Sequence, residues 1–324
     1  MNAVTPSFRE GLEFRAAQLY YERDRTMEAI SRELGVSRAT VSRLLQEARN
    51  RGIVRVSVHP PTDRSRALEH RLHEMYGVRA LVAEPPRRRD PAVTTASVAA
   101  LAAQALDELI TPGAVIGTCW GNTMTAVAER LPHREVEDLT VVGLNGAIHP
   151  DPLGTRERGG YRTAAEEIAA AYSGAAELLP VPPFFDHAST KAAMWQERTI
   201  RRMLDLQRRC TAAIFGIGTF HSSPVSQVYA QGYLNREDLN GLTAEGVVGD
   251  VCTVFFRGDG SWRDVELNRR STGMLPDELR RIPHRIGVVN GPHKVTAVRG
   301  ALAASLVSVL VLDRDSANEL VHGL

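Results

Sequence analysis

At 324 residues, 43% apolar and 24% charged, the chain has room for two folded domains at the usual ~150 residues apiece and is too apolar for general disorder. Its net charge of +1 conceals an asymmetry, because residues 1–60 carry ten arginines against seven acidic residues while the remainder is slightly acidic. No apolar run approaches the ~20 residues of a bilayer span and the first residues lack a signal-peptide layout, so a cytoplasmic protein without a membrane partner is expected.

Residues 11–22 predict a leading helix with Leu12, Ala16, Leu19 and Tyr20 on its inward face. Thr26 can cap a second helix that carries Met27, Ile30 and Leu34 at helical spacing, and Gly35 supplies the permissive backbone where it stops. Ser37 caps the next helix. There Val41, Leu44, Leu45 and Ala48 fall at i, i+3, i+4 and i+7 as one buried stripe, leaving Arg38, Thr40, Ser42 and Arg43 to face outward. A helix-turn-helix reads the major groove with such donors on the first turns of its second helix, so Ser37, Arg38, Thr40, Ser42 and Arg43 are the expected operator contacts. An ordinary helical hairpin would bury the same stripe. The turn glycine, the serine cap and the basic surface of residues 37–58, five arginines against the single Glu47, together favour the reader. Gly52 ends the helix, and residues 53–58 alternate as the strand of a wing does. The break at His59-Pro60-Pro61 places the boundary between a winged helix-turn-helix domain, 1–60, and a second domain, 61–324.

After a helix near residues 66–76, short apolar runs alternate with helical stretches. Strands are expected at 78–83, 114–116, 139–142, 212–215, 251–256, 286–289 and 307–312, and helices at 93–110, 122–131, 161–172, 191–209 and 293–305. This alternation predicts an α/β domain with a mainly parallel sheet, helices on both faces and a ligand site at the carboxyl ends of the strands. An antiparallel hairpin is expected where 251–256 and 262–267 flank Gly258-Asp259-Gly260.

Four strand-end loops are candidate ligand seats. Residues 117–123, GTCWGNT, lead from a strand into a helix, where glycine lets N–H groups approach an anion and Asn122 and Thr123 add donors. The loops 143–147, with Asn145 and Gly146, and 216–219, with Gly218, also let a ligand lie close, although such glycines equally serve plain turns. In 290–294, NGPHK, Lys294 sets positive charge at the positive end of a helix, a conflict that a bound anion resolves. Asp250 is placed to accept sugar hydroxyls at the same rim, and loop 149–160 to cover it. The three cysteines, Cys119, Cys210 and Cys252, are odd in number and widely spaced, which favours reduced thiols over a disulfide framework or a metal site.

Taken together, the stretches IxxELGVSRxTVSRLLxxARxxGIV, GTCWGNTM, GLNGA, GYL with GVVGDV, and GPHKVTAVRGAL resemble the SorC branch of sugar-responsive bacterial transcription regulators, over about residues 10–322. The resemblance implies a winged helix-turn-helix joined to a sensor domain similar to ribose-5-phosphate isomerase and glucosamine-6-phosphate deaminase, assembled as a dimer or tetramer. It further implies a phosphorylated sugar or polyol effector, held through its phosphate by the loop Trp120, Gly121, Asn122 and Thr123 with Lys294 close by. Operator DNA is the other implied partner, and no cofactor or metal is expected. The alternative is an active sugar-phosphate isomerase or deaminase with a DNA-binding domain appended. Asp250 and Lys294 are available to such an enzyme, but no dense acid–base cluster adjoins the phosphate loop, so no catalytic residue is assigned.

Overall fold

The computed structural model describes residues 6–23, 25–50, 53–54, 63–84, 91–147, 163–219, 227–230 and 232–323. The chain divides into two units, Met1–Pro60 and Pro61–Leu324. In the first, α1 (Pro6–Ala17) starts earlier than expected and runs on into a π-helical turn, Gln18–Glu22, followed by α2 (Met27–Leu34) and α3 (Arg38–Asn50). Local chemistry sets the helix ends. The Thr26 hydroxyl accepts from Ala29 N–H at 3.2 Å, Gly35 turns left-handed at φ 65°, and Ser37 Oγ accepts from Thr40 N–H at 3.1 Å. Ala16, Leu19, Ile30, Val41, Leu45 and Ala48 form the buried core between these helices. Ile53 and Val54 form a bend, with Val54 packed on that core, while the rest of the expected wing and the boundary prolines lie outside the described residues.

The second unit begins with α4 (Asp63–Tyr76), β1 (Arg79–Ala83), α5 (Pro91–Asp107), β2 (Val115–Thr118), α6 (Asn122–Ala128), β3 (Thr140–Gly146), α7 (Ala164–Ala171) and β4 (Ala175–Leu179). It continues through α8 (Ala188–Met194), α9 (Arg198–Gln207), β5 (Ala212–Gly216), α10 (Gln227–Ala230), α11 (Arg236–Ala244), β6 (Val247–Val251) and β7 (Val254–Arg257). Its last part holds α12 (Pro276–Leu279), β8 (His284–Val289), α13 (Val295–Ala303), β9 (Val309–Asp313) and α14 (Arg314–His322). Seven strands form one sheet, all neighbours parallel, in the order β1-β9-β8-β5-β2-β3-β4.

Successive strand residues face opposite layers, so Ala213 and Phe215 pack with α9, α13 and α14, whereas Ala212 and Ile214 pack with α5, α6 and α7. Each fully buried side chain of Phe215 or Ile214 size contributes about 1.5–3 kcal/mol of burial free energy. The expected α/β sheet covered on both faces is therefore present, and among the described residues no helix is long and apolar enough to cross a membrane. From β2 the chain steps outward through β3 and β4, then returns on the other side of β2 as β5 and continues to β8 and β9. The reversal between β2 and β5 opens a crevice at their carboxyl ends.

Three expectations need correction. The antiparallel hairpin joins β6 to β7 through Cys252 and Thr253, both with positive φ (50° and 67°), rather than crossing Gly258-Asp259-Gly260. Residues 262–267 are not a strand, because the buried amide of Asn268 substitutes for one. Its Oδ1 accepts from Phe255 N–H, and its Nδ2 donates to the carbonyls of Phe255 and Trp262, each at 2.8 Å. The helix expected over 191–209 is two helices, broken at residues 195–197, where Trp195 turns its ring edge-on to Phe185. Finally, Cys119 and Cys252 are disulfide-bonded, with Cα atoms 5.6 Å apart, and only Cys210 is a free, buried thiol. Their 133-residue separation in sequence hid a pairing that the return of β6 to the end of β2 creates.

Candidate functional site

On α3 the inward stripe leaves Arg38, Ser42 and Arg43 exposed. Ser37 and Thr40 are differently engaged, their hydroxyls 2.8 Å apart and Ser37 Oγ also capping the helix. Those two hydroxyls therefore also hold the helix start, while Arg38, Ser42 and Arg43 have exposed side chains. Guanidinium groups on the opening turns of a helix are suited to phosphate oxygens and to the acceptors of a guanine edge.

In the second unit the loop after β2 begins at Cys119, since Gly117 and Thr118 complete the strand. Gly121 (φ 143°) leads into α6, whose first residues are Asn122 and Thr123. The Thr123 side chain reaches the end of β5, where a Cβ on Gly216 would lie 3.9 Å from its hydroxyl, so the loop and β5 share the crevice. Trp120 is held by its indole N–H, which donates to the Gly146 carbonyl at 3.0 Å, and by its ring, 5.3 Å from that of Tyr233. Gly146 N–H in turn donates to Thr272 Oγ1 at 3.2 Å. Both backbone groups of Gly146 are thus occupied in joining β3 to its surroundings. Asn145, one residue earlier, is buried.

Gly218 and Asp250 form a mutual backbone pair, N–H to carbonyl in both directions at 2.9 and 3.1 Å. A side chain at Gly218 would collide with the Asp250 carboxylate, and one at Gly249 would lie 2.5 Å from the Gly218 carbonyl and 2.6 Å from Ala297 Cβ on α13. These close approaches bring β6 against both the end of β5 and the helix that Lys294 precedes. Asp250 itself is 4% exposed. Its Oδ1 accepts from the Tyr229 hydroxyl at 2.9 Å and its Oδ2 from Thr253 N–H at 3.3 Å.

Burial raises the Asp250 carboxyl from 3.8 to about 6, against the opposing pull of Tyr229, Thr253 and Lys294. The same burial holds Lys294 below its ordinary value, with Asp250 acting in the other direction. No carboxylate among the described residues lies within ion-pair distance of the Lys294 ammonium. Lys294 occupies the N-cap position of α13, where the helix dipole adds further positive potential. A desolvated ammonium at a helix start, with a carboxylate nearby but not in contact, is suited to hold an anionic group that also bears hydroxyls.

Expected site residues thus converge as two groups, Thr123 with the end of β5, and Gly218, Asp250 and Lys294 around the β6–α13 contact. The covering loop 149–160 lies outside the described residues. Sequence reasoning missed Tyr229, Thr253 and Tyr233. Tyr233 belongs to the GYL stretch already singled out, but nothing in the spacing linked Tyr229 to Asp250.

Both units match known families. The family model for a sugar-binding domain matches residues 61–322, and that for sigma-70 region 4 matches residues 17–51, the span of α2 and α3. The deoxyribonucleoside regulator of Bacillus subtilis (strain 168) is 32% identical over 98% of this chain and 99% of its own. A solved domain of "a possible sugar-binding transcriptional regulator" from Arthrobacter aurescens TC1 is 42% identical, with a TM-score of 0.71, covering 81% of this chain and all of that one. The full-length sorbitol operon regulator SorC of Klebsiella pneumoniae is 26% identical at a TM-score of 0.70, over 96% of this chain and 98% of that one.

Proposed function

Since the chain belongs to the SorC family of transcriptional regulators, which join a helix-turn-helix to a sugar-binding domain, we propose that its effector is a phosphorylated sugar or polyol that controls operator affinity. The observation that carries this reading is the half-buried Lys294, without an ion-pair partner among the described residues, at the start of α13. In it, Lys294, Thr123 and the N–H groups of the Gly121–Asn122 loop take the phosphate. Asp250, Asn145 and the backbone at Gly218 take hydroxyls, and Trp120 positions the loop through Gly146. Relatives named for deoxyribonucleosides and for sorbitol support a carbohydrate effector.

The first unit supplies the DNA reader, with Arg38, Ser42 and Arg43 facing the groove. The second unit senses the effector and assembles a symmetric oligomer, dimer or tetramer, so that two readers meet two half-sites. An effector changes DNA affinity only by binding two arrangements of that oligomer unequally. The test is operator binding titrated with sugar phosphates. Lys294→Ala should leave operator affinity without effector nearly unchanged, while losing about 2 kcal/mol of effector binding, some 30-fold. Equal effector concentrations for wild type and variant would place the phosphate seat elsewhere.

A further inference from the structure

The disulfide between Cys119 and Cys252 spans the two walls of the proposed effector site. Cys119 immediately precedes Trp120 in the loop after β2, and Cys252 follows Asp250 by two residues in the β6–β7 turn. Reader domains meet DNA where thiols are kept reduced, and disulfides found in such compartments are typically transient and redox-sensing rather than structural. We infer that Cys119 and Cys252 form a reversible thiol–disulfide couple that sets how tightly the site binds anions, an inference resting on the reading of the Gly121–Thr123 loop as the phosphate seat.

The two ends of the bond are not equally fastened. The Cys252 turn is held independently, because Thr253 N–H donates to Asp250, Ser271 Oγ donates to the Thr253 carbonyl at 2.7 Å, and the Thr253 and Ser271 hydroxyls lie 3.2 Å apart. Between β2 and α6 the opposite wall is three residues, carried by Trp120 through its indole bond to Gly146 and the contact of its ring with that of Tyr233. Opening the bond therefore loosens the Cys119 loop and leaves the Asp250 turn in place. An ordered loop binds more tightly than one that must be ordered on binding, so the oxidised site is the stronger anion binder.

The chemistry balances with a dithiol as reductant. One of its thiolates attacks a sulfur of the bond, the second displaces the mixed disulfide, and two electrons and two protons pass to Cys119 and Cys252 while the dithiol becomes a disulfide. In the reverse direction hydrogen peroxide takes the two electrons and two protons and leaves as two waters. Both cysteines are buried, at 6% and 4% exposure, so exchange proceeds as the loop opens. Cys210 is a built-in control, a buried thiol pushed up to about 12 by desolvation and far from thiolate reactivity.

The test uses the full chain, oxidised with peroxide or reduced with dithiothreitol, and inorganic phosphate as the probe. Alkylation after denaturation, read by mass spectrometry, should modify Cys210 alone in the oxidised protein and all three cysteines in the reduced one. Calorimetry should give a phosphate Kd about tenfold lower for the oxidised protein. Cys252→Ala should behave as the reduced wild type under both conditions, and Cys210→Ser should keep the redox response. The wild-type comparison needs no variant to fold. Failure of the Cys119–Cys252 bond to form under peroxide overturns the inference. Phosphate binding that needs Lys294 yet is equal or weaker in the oxidised state overturns it alone, leaving the phosphate seat standing. Absence of phosphate binding in both states removes the seat and the inference together.

Discussion

Replacing Asp250 with asparagine isolates the cost of burying a charge in the sensor unit. The carboxyl is 4% exposed and raised from 3.8 to about 6. Because the folded value lies above the unfolded one, the native state holds the proton more tightly, and the associated stability is complete below the unfolded value and lost as pH rises through about 6. At about 1.4 kcal/mol per tenfold in proton affinity, the loss amounts to about 3 kcal/mol. The substituted amide would keep an acceptor for Tyr229 but present an N–H group to Thr253 N–H, a pH-independent penalty of about 1 kcal/mol. The stability of Asp250→Asn relative to wild type should therefore rise by about 2.4 kcal/mol between pH 4 and pH 7.5, where part of the loss has already occurred at the lower end. For a unit of this size that is a relative gain of about 5–10 °C in melting temperature. Thermal unfolding of both proteins in phosphate-free buffers across that range is the assay. A difference that stays constant with pH, or that falls, refutes the assignment of a buried carboxyl of raised pKa.

Arg43→Ala should weaken binding to an operator selected from random duplexes by about 1–3 kcal/mol and relax preference at one base position if the guanidinium reads a base, or lower affinity for all sequences and flatten the salt slope if it meets a phosphate. No change in either measurement removes α3 from the groove. Asn268→Ala strips three hydrogen bonds from buried backbone groups of Phe255 and Trp262, and should cost about 3 kcal/mol or more in urea unfolding of the sensor unit, whereas a loss below about 1 kcal/mol would show that water replaces the amide. Sedimentation at micromolar concentration should give a symmetric oligomer with and without DNA, and a stable monomer in both conditions would remove the two-reader arrangement.

The helices of the reader unit were legible because their signals are local. Thr26, Gly35 and Ser37 act within four residues of themselves, and the Val41–Ala48 stripe needs only helical spacing. The parallel sheet was legible from apolar runs, and Lys294 stood out as a charge at the wrong end of a dipole. Elements set by distant partners were not. β4, AAELL, lacks β-branched residues and takes its place by pairing with β3. The β6–β7 turn places two non-glycine residues at positive φ, which Asp250 and Ser271 hold and which sequence preference argues against. The Ser37–Thr40 hydroxyl contact was not legible, because sequence shows which face a hydroxyl occupies and not which neighbour it bonds.

The stack of Gly218, Gly249 and Ala297 has a consequence for how ligand choice can drift. It makes the spacing between the backbones that carry Asp250 and Lys294 a property of main-chain contact, set by missing methyl groups. In the proposed effector site, exchanging Asp250 or Lys294 would alter which functional groups are accepted while leaving that backbone spacing unchanged. A longer or shorter effector requires β6 to slide over α13, and because Gly218 and Asp250 are tied through their backbones, that movement reaches the end of the central strand β5. In the proposed site, ligand length and the setting of the sheet would therefore be geared together, whereas ligand chemistry would be free to change by itself.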